Sequence, residues 1–158
     1  MSNNKGKQFE KKFQEDWLKT FPQSFILRLA DQMTGYKVTS QNPCDFIGYK
    51  KPVLFLIECK SHEGNTFPLS NLTQYEKLLG KAGIPGVRSG VIIWFIDHDR
   101  VVYVPVKTIE KMKADGKKSV NIRTINKDGY RFFEIPSVKK RVFMDSDYSI
   151  LESMEDGD

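Results

Sequence analysis

Val53 to Lys60 reads Val-Leu-Phe-Leu-Ile-Glu-Cys-Lys, an apolar run that closes on two charges. Ahead of it stands a shorter run, Pro43-Cys44-Asp45-Phe46-Ile47-Gly48, and the two are separated by the polar break Gly48-Tyr49-Lys50-Lys51-Pro52. Apolar runs around a break edged by Gly and Pro form a β-hairpin or a close strand pair. Side chains alternate along a strand. Leu54, Leu56, Glu58 and Lys60 therefore share one face, and Val53, Phe55, Ile57 and Cys59 the other. A strand built only for burial would not finish one face with Glu and Lys. With Asp45 opening the neighbouring run, the pattern gathers two carboxylates and a lysine. That set suits an oxygen-seeking divalent cation and a water activated on it.

The rest of the chain supplies a scaffold. Phe9, Phe13 and Trp17 recur at i, i+4 and i+8, with Leu18 widening the stripe, which predicts an amphipathic helix from Gly6 to about Thr20. Glu10 sits one step round from Phe9, either as a solvated helix charge or as a group that reaches the metal site. Phe21-Pro22 ends the helix, and Ser24 to Ala30 reads as a first strand. Arg28 points away from Leu27 and Leu29, as a surface arginine or as an anion-facing one. Asp31 to Asn42 is a polar loop or projecting hairpin whose Tyr36 and Lys37 suit a sugar–phosphate backbone.

Ser61 to Pro68 reads as a polar loop. Ser70 caps a helix expected from about Asn71 to Ala82, with Leu72, Tyr75, Leu78 and Leu79 on one side and Gln74 and Glu76 polar near its start. Gly83 to Gly90 is a loop, and Val91 to Ile96 a buried central strand. Strand, helix and strand make a parallel βαβ unit. Asp97 to Arg100 is a turn, where His98 between two aspartates reads as a solvated turn rather than a metal site. A strand at Val101 to Val104, a helix from Pro105 to about Ala114, a basic loop at Asp115 to Ser119 and a last strand within Tyr130 to Ile135 complete the order.

Charge bears on partners. The net charge is +5, but Asp145 to Asp158 holds six acids and no Lys or Arg, so the body ahead of it carries 25 basic and 14 acidic residues, or +11. Such a body attracts polyanions, nucleic acid first, although a lysine-rich surface also serves solubility. Residues 1–144 are expected to form a single domain and 145–158 a mobile acidic tail, which either serves as an inert solubilising segment or folds onto the basic face and competes with nucleic acid. No apolar run is long enough for a membrane span, and the charged start is unlike a signal peptide. Two cysteines and no disulfide framework suit a reducing cytoplasm, and the separated His62 and His98 argue against a zinc site.

Phosphodiester cleavage needs an attacking water, shielding of the phosphate and stabilisation of the leaving oxygen. Asp45, Glu58 and the Cys59 carbonyl could hold Mg²⁺ or Mn²⁺. Lys60 could orient or deprotonate the water and pair with the phosphate. Glu10 could add a ligand or base, and Arg28 could clamp a phosphate.

Pro43-Cys44-Asp45 with Glu58-Cys59-Lys60 resembles the PD-(D/E)xK nuclease superfamily. More of the chain resembles the RecU Holliday-junction resolvases of Gram-positive bacteria and their phage relatives. The resemblance rests on Gly6-Lys7-Gln8-Phe9-Glu10, Arg28-Leu29-Ala30-Asp31, Pro43-x-Asp45, Glu58-x-Lys60, Asn65 to Leu72 and Gly116-Lys117-Lys118-Ser119-Val120, in that order. It implies an α/β, restriction-endonuclease-like core, a mixed central β-sheet flanked by helices in the order α-β-β-β-α-β. It also implies a cytoplasmic homodimer that nicks four-way DNA junctions in symmetric pairs with Mg²⁺ or Mn²⁺, with a recombinase as a further partner. Lys7, Arg28, Tyr36, Lys37, Lys117 and Lys118 become candidate DNA contacts. Cys44 stands where the family has Thr. The family's helix glutamine aligns with Glu76, while Gln74 lies two residues earlier, so both are candidates. The segment Asp31 to Asn42 is shorter than the family's projecting stalk. A restriction-type or nicking enzyme of the same fold, or a non-cleaving DNA-binding recombination accessory protein, are the alternatives.

Overall fold

Phe9, Phe13 and Trp17 return to one side of a helix every four residues, and all three are buried on α1 (Ser2–Thr20). The helix closes where Phe21 N–H reaches Trp17 carbonyl at 2.8 Å, and Ser24 Oγ accepts Trp17 Nε1–H at 3.0 Å. The computed structural model describes residues 2–30, 42–155 and 157–158.

After α1 come β1 (Phe25–Arg28), β2 (Phe46–Lys50), β3 (Val53–His62), β4 (Thr66–Pro68), α2 (Tyr75–Lys81) and β5 (Val87–Phe95). Then follow β6 (Arg100–Pro105), α3 (Val106–Ala114), β7 (Ser119–Asn121), β8 (Phe133–Ile135), β9 (Ser137–Lys139) and β10 (Met144–Ser146). The central sheet has six strands in the order β1-β2-β3-β5-β6-β8. β3 and β5 run parallel, joined through α2, and every other pair in that sheet is antiparallel. This is the mixed sheet with flanking helices that the sequence predicts.

The sheet carries a core on each face. Leu56, Val91, Ile93, Phe95, Val102 and Val104 pack toward α2 and α3. Phe55, Ile57, Cys59, Ile92, Trp94, Val101 and Tyr103 pack toward α1. A strand buried on both faces loses visible alternation, as in Val91 to Phe95. Gly90 lets this layer close, because a Cβ there would lie 2.3 Å from the Tyr103 ring.

Several expected boundaries move. β5 starts at Val87, because Leu54↔Val87 and the following pairs draw Arg88, Ser89 and Gly90 into the ladder with β3. α2 begins at Tyr75 with Gln74 at its N-cap position, and Leu69–Asn71 is a separate 3-10 turn, so Ser70 does not cap the helix. The expected loop after Lys60 is largely strand, since β3 continues to His62 and β4 pairs with β7.

The acidic end is packed, in contrast to the mobile tail expected. β10 pairs with β9, and a 3-10 helix follows over Tyr148–Ser153, capped where Asp147 accepts the Ser149 N–H at 3.0 Å. Tyr148 is fully buried, its ring 5.2 Å from that of Phe13, with Leu151 and Met154 buried beside it. Acidic residues dominate the composition of this segment and mask its apolar side chains, which recur every third residue.

Candidate active site

The register of β2 on β3 pairs Phe46 with Ile57. The ladder ends there, so Asp45 stands just before the last pair on one strand and Glu58 just after it on the other. Backbone bonds hold Asp45 there: its N–H reaches Ile57 carbonyl at 3.1 Å, and its carbonyl accepts Leu29 N–H at 2.8 Å. Its carboxylate Oδ2 accepts the backbone N–H of Cys59 at 2.9 Å. Lys60, two residues along the same face from Glu58, places Nζ 3.3 Å from Glu58 Oε1. Glu58 Oε2 is buried and accepts no hydrogen bond from any described residue.

A second pair approaches from the α1 side. Glu10 is half-buried on α1, and its Oε2 accepts Arg28 Nε–H at 2.8 Å. Arg28 ends β1 and points to the same side as Ile26, toward the helix. The structure therefore brings Glu10, Arg28, Asp45, Glu58, Cys59 and Lys60 into one electrostatic neighbourhood. Burial pushes the Asp45 carboxyl upward, opposed by the Cys59 N–H, with Glu10 raising it further and Lys60 and Arg28 lowering it. Burial, then the Asp45 charge, pushes Glu58 up to about 7, while Lys60 lowers it. Like charges held close together and withdrawn from water are unfavourable unless a cation joins them.

The other predicted residues distribute as follows. Gln74 is half-buried with its side-chain oxygen enclosed, whereas Glu76 is exposed on the first turn of α2. Lys7 is exposed on α1. Lys117 and Lys118 are exposed ahead of β7, whose partner β4 follows the site strand. Tyr36 and Lys37 lie outside the described residues. Asp97, His98 and Asp99 serve the turn: Asp97 accepts Gly64 N–H at 2.6 Å, and His98 Nε2 lies 2.6 Å from Asn65 Oδ1. Cys44, beside Asp45, donates from Sγ to the Phe46 carbonyl at 3.1 Å, a bond a hydroxyl would also make.

Among the described residues no three His, Cys, Asp or Glu side chains form a preassembled metal cluster. Two carboxylates and a nearby carbonyl nevertheless fit a small hard cation that keeps several waters.

Comparison with known proteins bears on this geometry. The RecU family model, Recombination protein U, matches residues 4–142, which span nearly all of α1 and every residue of the cluster. The chain belongs to the RecU family. No curated protein matches it. Among solved structures, Hjc from Archaeoglobus fulgidus, a Holliday junction resolvase, matches with a TM-score of 0.54 and 22% identity. The match covers 73% of this chain and 88% of that one, which establishes a shared fold. In this RecU-family chain, β9 lies within the matched span, and β10 and the packed acidic end lie beyond it. Sequence reading missed that hairpin, although Ser137-Val138-Lys139 and Met144-Asp145-Ser146 alternate around a basic turn.

Proposed function

We propose that this chain is a divalent-metal-dependent DNA endonuclease that resolves four-way junctions by paired, symmetric nicks, acting as a homodimer in the cytoplasm. The observation that carries this reading is the nearness of Asp45 and Glu58 at the end of the β2–β3 ladder, where the Asp45 charge acts on Glu58 and one Glu58 oxygen is buried and unpartnered. Family membership and the fold shared with a junction resolvase support it.

Asp45 and Glu58 would hold Mg²⁺ or Mn²⁺ through hard oxygens. Residues of a strand direct N–H and C=O to the same edge. Cys59 turns its N–H to Asp45, so its carbonyl faces that edge too and would serve as a third donor. When bound, the cation would lower the pKa of the attacking water and shield the phosphate. Lys60, ion-paired with Glu58 and partly exposed, orients that water and donates to a phosphate oxygen. Arg28 meets the phosphodiester from the α1 side, while Glu10 holds the guanidinium in place and biases the neighbouring carboxylates toward their protonated forms. Of the two candidates at the start of α2, Gln74 is half-buried and Glu76 exposed, which favours Gln74 for the site. Lys7, Lys117 and Lys118 contribute to the basic surface that receives DNA, and a second copy places a second cluster for the paired cut. A recombinase acting on the same DNA is the natural partner.

Incubation of purified protein with labelled four-way junctions tests this. Paired nicks in Mg²⁺ or Mn²⁺, none in chelator and little cutting of linear duplex are expected. A folded protein that nicks junctions in neither metal would refute the assignment. Cutting of linear duplex at a defined sequence would make it a restriction-type enzyme instead.

A further inference from the structure

Glu10 and Lys12 are two residues apart on α1 and so leave opposite flanks of the helix. Glu10 reaches Arg28 on the site side, at 2.8 Å. Lys12 reaches Asp145 of the β9–β10 hairpin, at 2.6 Å. The hairpin therefore stands across α1 from the carboxylate cluster, about one helix diameter, ~10 Å, away. Lys7 and Lys11, one turn apart, are exposed on the helix itself.

The hairpin is held firmly. Phe143 lies 5.5 Å from Trp94, and Trp94 5.5 Å from Phe9 of α1. Ser146 N–H donates to the buried Asp16 carboxylate at 3.0 Å, and Asp16 also pairs with Lys12 at 2.6 Å. At the turn, Lys140 N–H reaches Phe143 carbonyl at 2.9 Å.

The tip presents charge outward. Lys139 is already committed to Asp99 at 2.7 Å. Lys140 is exposed and only loosely paired with Asp145, at 3.8 Å. Arg141 is exposed and makes no ion pair with any described residue. Lys12, Lys140, Arg141, Val142 and Phe143 line one shallow recess that combines cationic and apolar side chains. Phosphates beside Lys140 and Arg141 with sugar edges against the exposed Val142 match that composition.

We infer that the Lys140-Arg141 tip is a second DNA-binding element, which grips the phosphodiester backbone of a duplex arm that crosses α1 over Lys7 and Lys11 on its way from the site. The inference rests on the nuclease reading above and adds a contact surface outside the cluster. The strand that completes the hairpin, β10, lies past the matched span of the family.

The test uses the full chain, fluorescein-labelled four-way junction and linear duplex, and anisotropy in EDTA across a salt series. Lys140→Ala/Arg141→Ala should weaken binding about 10-fold and reduce the slope of log affinity against log salt by about 1 to 2, as expected for one to two lost phosphate contacts. Lys51→Ala/Lys81→Ala removes the same charge at the opposite end of β3 and should alter the slope far less. Near-ultraviolet circular dichroism verifies that both variants remain folded, and Lys140→Gln/Arg141→Gln replaces the alanine pair if that one does not fold. If the two charge-matched variants behave alike while the parent binds and nicks junctions, the hairpin inference alone is overturned. If the parent binds neither DNA, the inference and the nuclease reading fall together.

Discussion

The carboxylate of Asp45 accepts the backbone N–H of Cys59 at 2.9 Å, so one side chain ties the mouth of β2 to the strand that carries Glu58 and Lys60. Asp45 is thus both a structural acceptor and a candidate metal ligand. Asp45→Asn keeps an acceptor for Cys59 while it removes the charge. Junction nicking should fall by about 10³-fold or more, as loss of several kcal/mol of charge stabilisation implies. Junction affinity in EDTA should stay within a few-fold. Equal loss of both would assign Asp45 to folding alone.

Glu58 links the site to stability through pH. Its folded-state pKa is pushed up to about 7, chiefly by burial and then by Asp45, so the folded chain binds this proton more tightly than the unfolded chain. Between the ordinary carboxylate range and pH 7 the metal-free protein therefore loses stability as pH rises, on the order of 2–3 kcal/mol in total from this group. Glu58→Gln should flatten that slope and stabilise the metal-free protein at pH 8 relative to pH 5. Urea denaturation of both proteins in EDTA at the two pH values measures it, and a parallel pH dependence in the two would exclude the linkage.

Divalent cations should reverse that loss. A ligand that binds only the folded state adds stability as its concentration exceeds its dissociation constant, about 2.7 kcal/mol at a hundredfold excess. Mn²⁺ should raise the urea midpoint of the parent at pH 8 and leave that of Asp45→Asn/Glu58→Gln nearly unchanged. Calorimetric titration supplies the same comparison without denaturant.

Arg28 lowers the Asp45 pKa and is paired with Glu10. Arg28→Met would leave Glu10 beside the two carboxylates without that compensation. The acidic limb of the pH–rate profile for nicking should move to higher pH, with KM for the junction rising as well. Arg28→Lys should restore part of the limb's position. A change in KM with an unmoved limb would limit Arg28 to phosphate contact.

The acidic end is expected to be part of the fold's stability. Tyr148→Ala removes a fully buried ring from the Phe13 and Trp17 layer and should cost about 3–5 kcal/mol in urea denaturation. Glu155→Gln, on the exposed side of the same segment, should change little. A small effect for both would return the segment to the role of a solubilising tail.

The fold was legible wherever a single residue pattern dictates an element. The four-residue recurrence of Phe9, Phe13 and Trp17, the hairpin around Lys50-Lys51-Pro52 and the βαβ unit all follow from local periodicity. Local pattern failed where tertiary pairing decides. Arg88 and Ser89 lack strand character, yet β3 supplies their partners. Tyr148 has only weak local support, and its burial depends on a helix more than a hundred residues earlier. The cluster itself was readable because charges at the ends of apolar strands are conspicuous. The relative exposure of Gln74 and Glu76 was not, since it turns on where α2 begins.

Cys44 and Cys59 flank the two carboxylates, both are buried and unbridged, and burial pushes the Cys44 thiol up to about 12 and the Cys59 thiol well above its ordinary range. A thiol that neither ionises nor meets solvent is inert to alkylation and to mild oxidants. The pair is therefore a built-in clock for local opening: the rate at which a thiol reagent labels either sulfur reports how often the strand ends that carry the carboxylates separate, with no probe added to the chain.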